Sequence, residues 1–323
     1  MVTILSDSDV ARLLDVDSLL SPVENALCKQ GAGDVERPER PHFPIGTGLE
    51  SDEPLGMGLT MPAYVHGEPF AVTKLVTVHE DNESRGLPTV QAQIALTDAR
   101  TGRPAAYMAG TRITNARTGC IGGLAARELA TDPVRLAVIG AGAQARWQTR
   151  AIAATRTLES VHVYSPSASK HACASDLREE GIPATAAETA ADAVDGATVV
   201  VTATTSTAPV FPASALTDAE LVVAIGAYDE TMQELEPAVV DGATALFADV
   251  PDEAAATGDF SETPYTAADL RPLSDVFAEA GPRSADDGFT LVKSVGSAVF
   301  DLAAATTVYQ LADADGVGTT VIF

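Results

Sequence analysis

Between Val134 and Ala145 the chain reads Val-Arg-Leu-Ala-Val-Ile-Gly-Ala-Gly-Ala-Gln-Ala. A short apolar run, a glycine turn and a stretch of good helix formers from Gln144 to Ala154 predict a buried parallel strand feeding a helix N-terminus. Gly140, Gly142 and Ala145 stand in G-x-G-x-x-A spacing. The first glycine permits the tight turn, the second lets the backbone approach a pyrophosphate, and the small third residue lets helix and strand pack closely. The free N–H groups and positive dipole end of the helix then hold the phosphates. On spacing alone an ordinary strand-turn-helix fits equally well, and the surrounding pattern decides for a dinucleotide site.

Apolar strands are predicted at Val161 to Tyr164, Ala197 to Ala203, Leu221 to Ile225 and Ala243 to Val250, with helical stretches between them. That alternation is an open, doubly wound α/β sheet. Pro251 to Ser284 is rich in Pro, Ala and Asp and reads as loop-heavy, and Phe289 to Ala312 reads as one long helix. The chain before the glycine turn is organised differently. Val2 to Leu5 reads as a strand, Ser6 to Asp9 cap a helix, and a second helix runs from about Asp17 to Gln30. Arg37 to Pro44 is proline-broken and extended. Strands follow at Leu59 to Val65, Phe70 to Val78, Val90 to Thr97 and Ala105 to Met108, and a helix at Thr111 to Leu129 leads into the glycine-turn strand.

Charge narrows the setting. Asp and Glu total 45 against 20 Lys and Arg, a formal net charge of −25, and only four of the cations are Lys. Self-repulsion on that scale destabilises a compact fold in dilute salt, whereas molar salt cuts the Debye length to about 3 Å. The acidic residues are spread along the chain, which points to a halophilic, salt-accumulating cytoplasm. The same charge argues against nucleic acid as a partner. No apolar run is long enough to span a bilayer, the N-terminus lacks the pattern of a signal peptide, and Cys28, Cys120 and Cys173 have no metal-ligand spacing. A cytoplasmic protein without metal or membrane partner is expected. The five histidines are scattered and lack i, i+4 pairing.

Lys74 is the first candidate for chemistry. Strand alternation puts it on the face of Val72 and Val76. Burial lowers a lysine pKa, which suits proton transfer. Arg117, amid small neighbours in the Thr111–Leu129 helix, and Arg40 can each grip a carboxylate in bidentate fashion. The competing reading of each is a solvated charge or a structural ion pair.

Six ordered motifs go further: Lys74-Leu75-Val76-Thr77, Gly86 to Ala92, Ile113 to Gly119, Gly140 to Arg146, Gln233-Glu234-Leu235 and Lys293 to Asp301. Together, and over nearly the whole chain, they closely resemble the ornithine cyclodeaminase/mu-crystallin family, which includes archaeal alanine dehydrogenase and ketimine and pyrroline-carboxylate reductases. The resemblance implies a Rossmann doubly wound parallel sheet at residues 116–292 and an α+β substrate-binding and dimerisation domain built from 1–115 with 293–323. It implies a homodimer paired through the first domain, with a small amino or imino acid bound against the nicotinamide. By motif position, Arg40, Lys74 and Arg117 are the substrate and catalytic set, with Lys74 as acid/base. Arg117 also falls with the cofactor contacts, as do Thr89, Ala143, Gln144, Ser294 and Val295.

One departure bears on the reaction. Cyclodeaminases and alanine dehydrogenases of the family carry Asp after Ile-Gly-Ala of the fifth strand, whereas Ile225-Gly226-Ala227 is followed here by Tyr228 and only then Asp229. That argues against cyclodeamination of ornithine, a lyase reaction using NAD catalytically. It favours NAD(P)H-dependent reduction of a small imino acid or its reverse, and the paired arginines with Lys74 argue against a non-catalytic NADP(H)-binding protein. Cofactor choice rests on Val161-His162-Val163-Tyr164-Ser165-Pro166-Ser167, which offers no carboxylate for a ribose 2′-hydroxyl. Ser165, Ser167 and Lys170 suit a 2′-phosphate, so NADP(H) is preferred, with NAD(H) as the alternative.

Overall fold

A computed structural model of the chain describes residues 1–277 and 288–322. The chain divides into two compact units, Met1–Arg117 with Ser297–Phe323, and Thr118–Gly296. Lys293 to Gly296 therefore belong to the second unit.

The first unit begins with β1 (Val2–Leu5), α1 (Asp7–Leu13) and α2 (Val16–Gly31). Ser6 and Asp9 form a reciprocal capping box at the start of α1, with the Ser6 hydroxyl accepting from the Asp9 N–H at 3.2 Å and the Asp9 carboxylate from the Ser6 N–H at 3.0 Å. The strands are β2 (Val35–Glu36), β3 (His42–Ile45), β4 (Gly56–Val65), β5 (Phe70–Val78), β6 (Val90–Asp98) and β7 (Pro104–Ala109). They form a mostly antiparallel sheet in the order β1-β7-β6-β5-β4-β2, with β3 also on β4 and Thr319–Val321 flanking β1. The proline-broken, extended stretch runs into a short strand. His42–Ile45 pairs antiparallel with β4 as an outlying strand, a position where Pro44 withholds no ladder donor from a second neighbour. On the inner face of β5, Val72, Lys74 and Val76 are buried under the C-terminal helix, Ala298–Asp315. That helix also packs on α2, starts at Ser297, whose hydroxyl accepts from the Val299 N–H, and ends at Gly316 with φ of 65°.

α3 (Thr111–Leu129) carries the chain into the second unit. There the strands are β8 (Val134–Ile139), β9 (Leu158–Tyr164), β10 (Ala184–Ala186), β11 (Val199–Thr202), β12 (Leu221–Ala224), β13 (Ala243–Ala248), β14 (Arg271–Pro272) and β15 (Phe289–Lys293). All pair parallel, in the order β10-β9-β8-β11-β12-β15-β13-β14. The first five reproduce the 3-2-1-4-5 order of a doubly wound dinucleotide fold, with its switch point between β8 and β11, and β15, the last strand of the unit in sequence, then inserts between β12 and β13. Every residue of β11 and β12 is buried, as a parallel sheet covered on both faces requires.

One expectation fails. Phe289 to Ala312 is not a continuous helix, because Phe289–Lys293 pairs with β12 and β13, and helix begins only at Ala298. Aromatic and β-branched residues at Phe289, Thr290 and Val292 favour strand, and Gly296 at φ of 79° turns the chain before the helix. Pro251 to Ser284 holds two short helices and 3-10 turns up to Phe277, and the remainder lies outside the described residues. Among the described residues no helix is long and apolar enough to cross a membrane, no His/Cys/Asp/Glu group could hold a metal ion, and all three cysteines are free.

Candidate active site

In the first unit the site is built on one carboxylate. Asp301, in the first turn of the C-terminal helix, is fully buried over β5. Its Oδ2 accepts from Lys74 Nζ at 2.5 Å and its Oδ1 from Arg117 Nε at 2.9 Å. Lys74 is 1% exposed and Arg117 4%. Three strongly hydrophilic groups are therefore held out of water, which is tolerable only because the two cations share the anion and hydrogen-bond to it. Burial pushes the Asp301 carboxyl up, but Arg117 and Lys74 overrule it and hold it below the usual carboxylate range.

The lysine responds in its own way. Burial, with further repulsion from Arg117 and Arg40 and in spite of the attraction of Asp301, pushes its pKa down to about 8. Arg40, half-buried before β3, is thus part of the same electrostatic field. With these groups charged, two cations, Lys74 and Arg117, share the one carboxylate. That surplus is what an incoming substrate carboxylate would neutralise, and the Lys74 ammonium can release a proton near neutral pH. The structure places Lys74 and Arg117 on one carboxylate, with Arg40 near enough for its charge to act on the lysine. It adds Asp301, which closes the Lys293 to Asp301 motif and carried no expected role. The signal was present, since Asp301 is the sole charged residue between Ala298 and Ala312 in an otherwise small and apolar helix.

In the second unit the glycine turn folds as its spacing demands. Gly140 has φ of 117°, and a Cβ there would lie 2.3 Å from the Ala203 carbonyl oxygen, so only glycine fits. Gly142 caps α4 (Ala143–Thr155) without a side-chain hydrogen bond, and a Cβ there would meet nothing within 4 Å. The helix N-terminus, with Ala143 and Gln144 in its first turn, is thus approachable at exposed Gly142 and Ala143, and its N–H groups suit a phosphate. Arg146 closes the rim by donating to the carbonyls of Ala141 and Gly142 at 2.8 and 3.1 Å.

At the end of β9, Ser165, Ser167 and Ser169 form a hydroxyl cluster, with 2.6 Å between the last two. No carboxylate stands among them. Lys170 is drawn elsewhere, donating to the Ala187 carbonyl at 2.7 Å. Ser294 is buried with its hydroxyl donating to Asp249 Oδ2 at 2.7 Å, and Asp249 also accepts the N–H groups of Val295 and Gly296. Asp249 thereby fixes the loop that carries both predicted cofactor contacts. Thr89 lies in the first unit, half-buried, its carbonyl accepting the His79 N–H.

Asp229, the residue that stands one place late, is engaged in its own turn. Its Oδ1 accepts the N–H and hydroxyl of Thr231, both at 2.8 Å, and the Met232 N–H at 3.2 Å. A carboxylate that closes an Asx turn is poorly placed to activate water. Tyr228, which holds the position before it, is 37% exposed.

A doubly wound sheet with an open glycine cradle, together with a buried Lys–Asp–Arg set carrying surplus positive charge, defines a dinucleotide-dependent enzyme acting on an anionic substrate. The model of the ornithine cyclodeaminase/mu-crystallin family matches residues 2–316, and the chain belongs to that family. A Delta(1)-pyrroline-2-carboxylate reductase of Bacillus cereus is 30% identical over 332 residues, covering 99% of each chain. Among solved structures, the Delta(1)-pyrroline-2-carboxylate reductase of Thermococcus litoralis in complex with NADH and L-proline superposes with a TM-score of 0.91 at 29% identity, over 99% of this chain and 100% of that one. An archaeal alanine dehydrogenase dimer with bound NAD gives 0.89 at 28% identity, over 100% of this chain and 99% of that one.

Proposed function

We propose that this enzyme reduces the C=N bond of a small, cyclic 2-imino acid, preferring NADPH, as a homodimer in a salt-rich cytoplasm. At the level of class it is an NAD(P)H-dependent oxidoreductase acting on the C–N bond of a small amino or imino acid. The observation that carries the residue roles is the sharing of Asp301 between Lys74 and Arg117. Arg117 and Arg40 grip the substrate carboxylate, and Lys74 Nζ delivers the proton to the substrate nitrogen. Asp301 holds both cations in place. When bound, the reduced nicotinamide supplies the hydride to the imine carbon. Gly140, Gly142, Ala143 and Gln144 hold the pyrophosphate. Ser165 and Ser167 receive the ribose 2′-phosphate, and Thr89, Arg117, Ser294 and Val295 complete the cofactor contacts. A lysine with a pKa near 8 is matched to either direction of the reaction at neutral to mildly alkaline pH.

Two further observations support the reading. The commitment of Asp229 Oδ1 to its own turn argues against the role that cyclodeamination would ask of that carboxylate. The outer face of the first sheet carries a concavity of about 430 Å³ whose lining includes Ile4, Leu75, Ala95, Tyr107 and Ala109, a largely apolar surface suited to a second copy. The salt-rich setting rests on the charge of −25.

The test is nicotinamide absorbance in molar KCl. NADPH or NADH is supplied with Δ1-pyrroline-2-carboxylate, and separately with pyruvate plus ammonia. Oxidation dependent on the cyclic imino acid, faster with NADPH, is expected. Release of ammonia and proline from ornithine with no net change in absorbance would overturn the reductase in favour of the lyase.

A further inference from the structure

A second buried charge cluster lies in the second unit, and the reaction scheme above does not use it. Glu234, Asp259 and Lys293 are each at most 1% exposed. Lys293, the last residue of β15, donates to Asp259 Oδ2 at 2.6 Å. Asp259 Oδ1 accepts the backbone N–H groups of Glu234 and Leu235 at 2.6 and 3.0 Å. The Glu234 carboxylate in turn accepts the Thr202 hydroxyl at 2.8 Å, the Thr204 N–H at 2.6 Å and the Gly226 N–H at 2.7 Å. Gly226 is required there, because a Cβ would lie 2.1 Å from the Thr204 carbonyl oxygen and 2.4 Å from Glu234 Oε1.

All these anchor points share one end of the sheet. Thr202 is the last residue of β11, Gly226 follows β12 by two residues, and Lys293 ends β15. In a doubly wound fold the first three strands and their glycine turn take the adenosine half of the dinucleotide, which leaves the carboxyl ends of β11, β12 and β15 for the nicotinamide half. The cluster therefore lies under the loops that face the ring. It also carries unequal charge, two carboxylates against one ammonium. Three donors converging on Glu234 favour its ionised form. Burial pushes the other way and raises its pKa, so the anion gains most from any additional positive charge nearby.

Resting on the dinucleotide reading above, we propose that Glu234 is a positioning residue whose buried charge, shared with Asp259 and Lys293, favours the cationic oxidised nicotinamide over the neutral reduced ring. The positive charge that develops on the ring as hydride leaves is then stabilised, while the neutral reduced ring is little affected.

The test is titration of NAD(P)+ and NAD(P)H separately in molar KCl, by protein and nicotinamide fluorescence without substrate. Glu234→Gln removes the charge and keeps the shape. Its expected result is a weakening for the oxidised form on the order of tenfold, the scale on which one buried unit charge acts through a protein interior, with little change for the reduced form. Glu234→Asp keeps the charge and shortens the reach, so it should weaken both forms equally and leave their ratio near that of the wild type. If Glu234→Gln fails to fold, Thr202→Val removes one donor from the anion and should move the ratio in the same direction by a smaller factor. Equal loss for both forms in Glu234→Gln, or an unchanged ratio in Thr202→Val, would overturn the proposal. Failure of the wild type to bind either form would instead overturn the dinucleotide reading.

Discussion

The two units each bury a cluster of charged side chains, and the clusters are mirror images in sign. In the first unit Lys74 and Arg117 converge on Asp301, with Arg40 close enough to repel the lysine. In the second, Glu234 and Asp259 are set against Lys293 alone. Neither arrangement is explained by stability, because a buried ion network is often no better than an apolar replacement of the same volume. What the imbalance provides is a bias toward a charge not yet present. On the proposals above, the surplus cation in the first unit suits a substrate carboxylate and the surplus anion in the second suits a positive ring. Lys74 meets two other cations and is pushed down to about 8, whereas Lys293 donates to Asp259 in a cluster that holds a second carboxylate.

The largest expected effect of breaking that contrast is at Lys74. Lys74→Met should lower kcat by about 10²–10⁴-fold, the usual contribution of a positioned acid/base, with cofactor affinity unchanged by fluorescence titration. Turnover at wild-type rates would remove Lys74 from the chemistry. Asp301→Asn leaves two buried cations without their anion, so chemical denaturation in molar KCl should report a loss of about 3–5 kcal/mol along with activity. Arg117→Lys keeps the charge but gives up the fork geometry. Substrate KM should rise about tenfold or more while kcat falls less, as expected for loss of a charge-assisted hydrogen bond worth about 1.5–3 kcal/mol.

A pH profile sharpens the comparison further. Because the folded-state pKa of Lys74 is depressed from 10.5 to about 8, its charged form is the costly one. The stability attached to the neutral form is complete above the unfolded value and is lost as pH falls from 10.5 to about 8. For catalysis the sign divides by direction. Imine reduction, which needs the ammonium, should decline as pH rises through about 8, whereas amino-acid oxidation should rise over the same interval. Profiles of kcat/KM without opposite limbs would show that another group governs proton transfer. The smallest effect is expected at Asp229, where Asp229→Ala removes a turn and should cost about 1 kcal/mol or less with kcat/KM nearly intact. A collapse of activity there would reopen the lyase.

Local pattern made most of this legible. The glycine spacing, the buried run before it and the alternation around Lys74 are short-range signals, and each is realised where it stands. What escaped was set by partners distant in the chain. Phe289–Lys293 lies within five residues of a long helical pattern that masks its strand-favouring composition, and β12 and β13 on its two sides complete its pairing as a strand. Asp301 acquires its role from Lys74 and Arg117, which lie 227 and 184 residues away. Asp249 and Asp259 are ordinary acidic residues among 45 Asp and Glu until the fold brings them to Ser294 and Lys293. In so acidic a chain a functional carboxylate is hidden by the others.

The layout of the chain also sets the order in which these sites come into being. The second unit is one unbroken stretch, Thr118–Gly296, whereas the first is assembled from segments on either side of it. During synthesis the dinucleotide unit has all its strands before Ser297 emerges, and domains generally fold as units from the N-terminal side. The first unit still lacks the helix that covers β5. Lys74 and Arg117 can therefore meet Asp301 only once the helix that begins at Ala298 has been made.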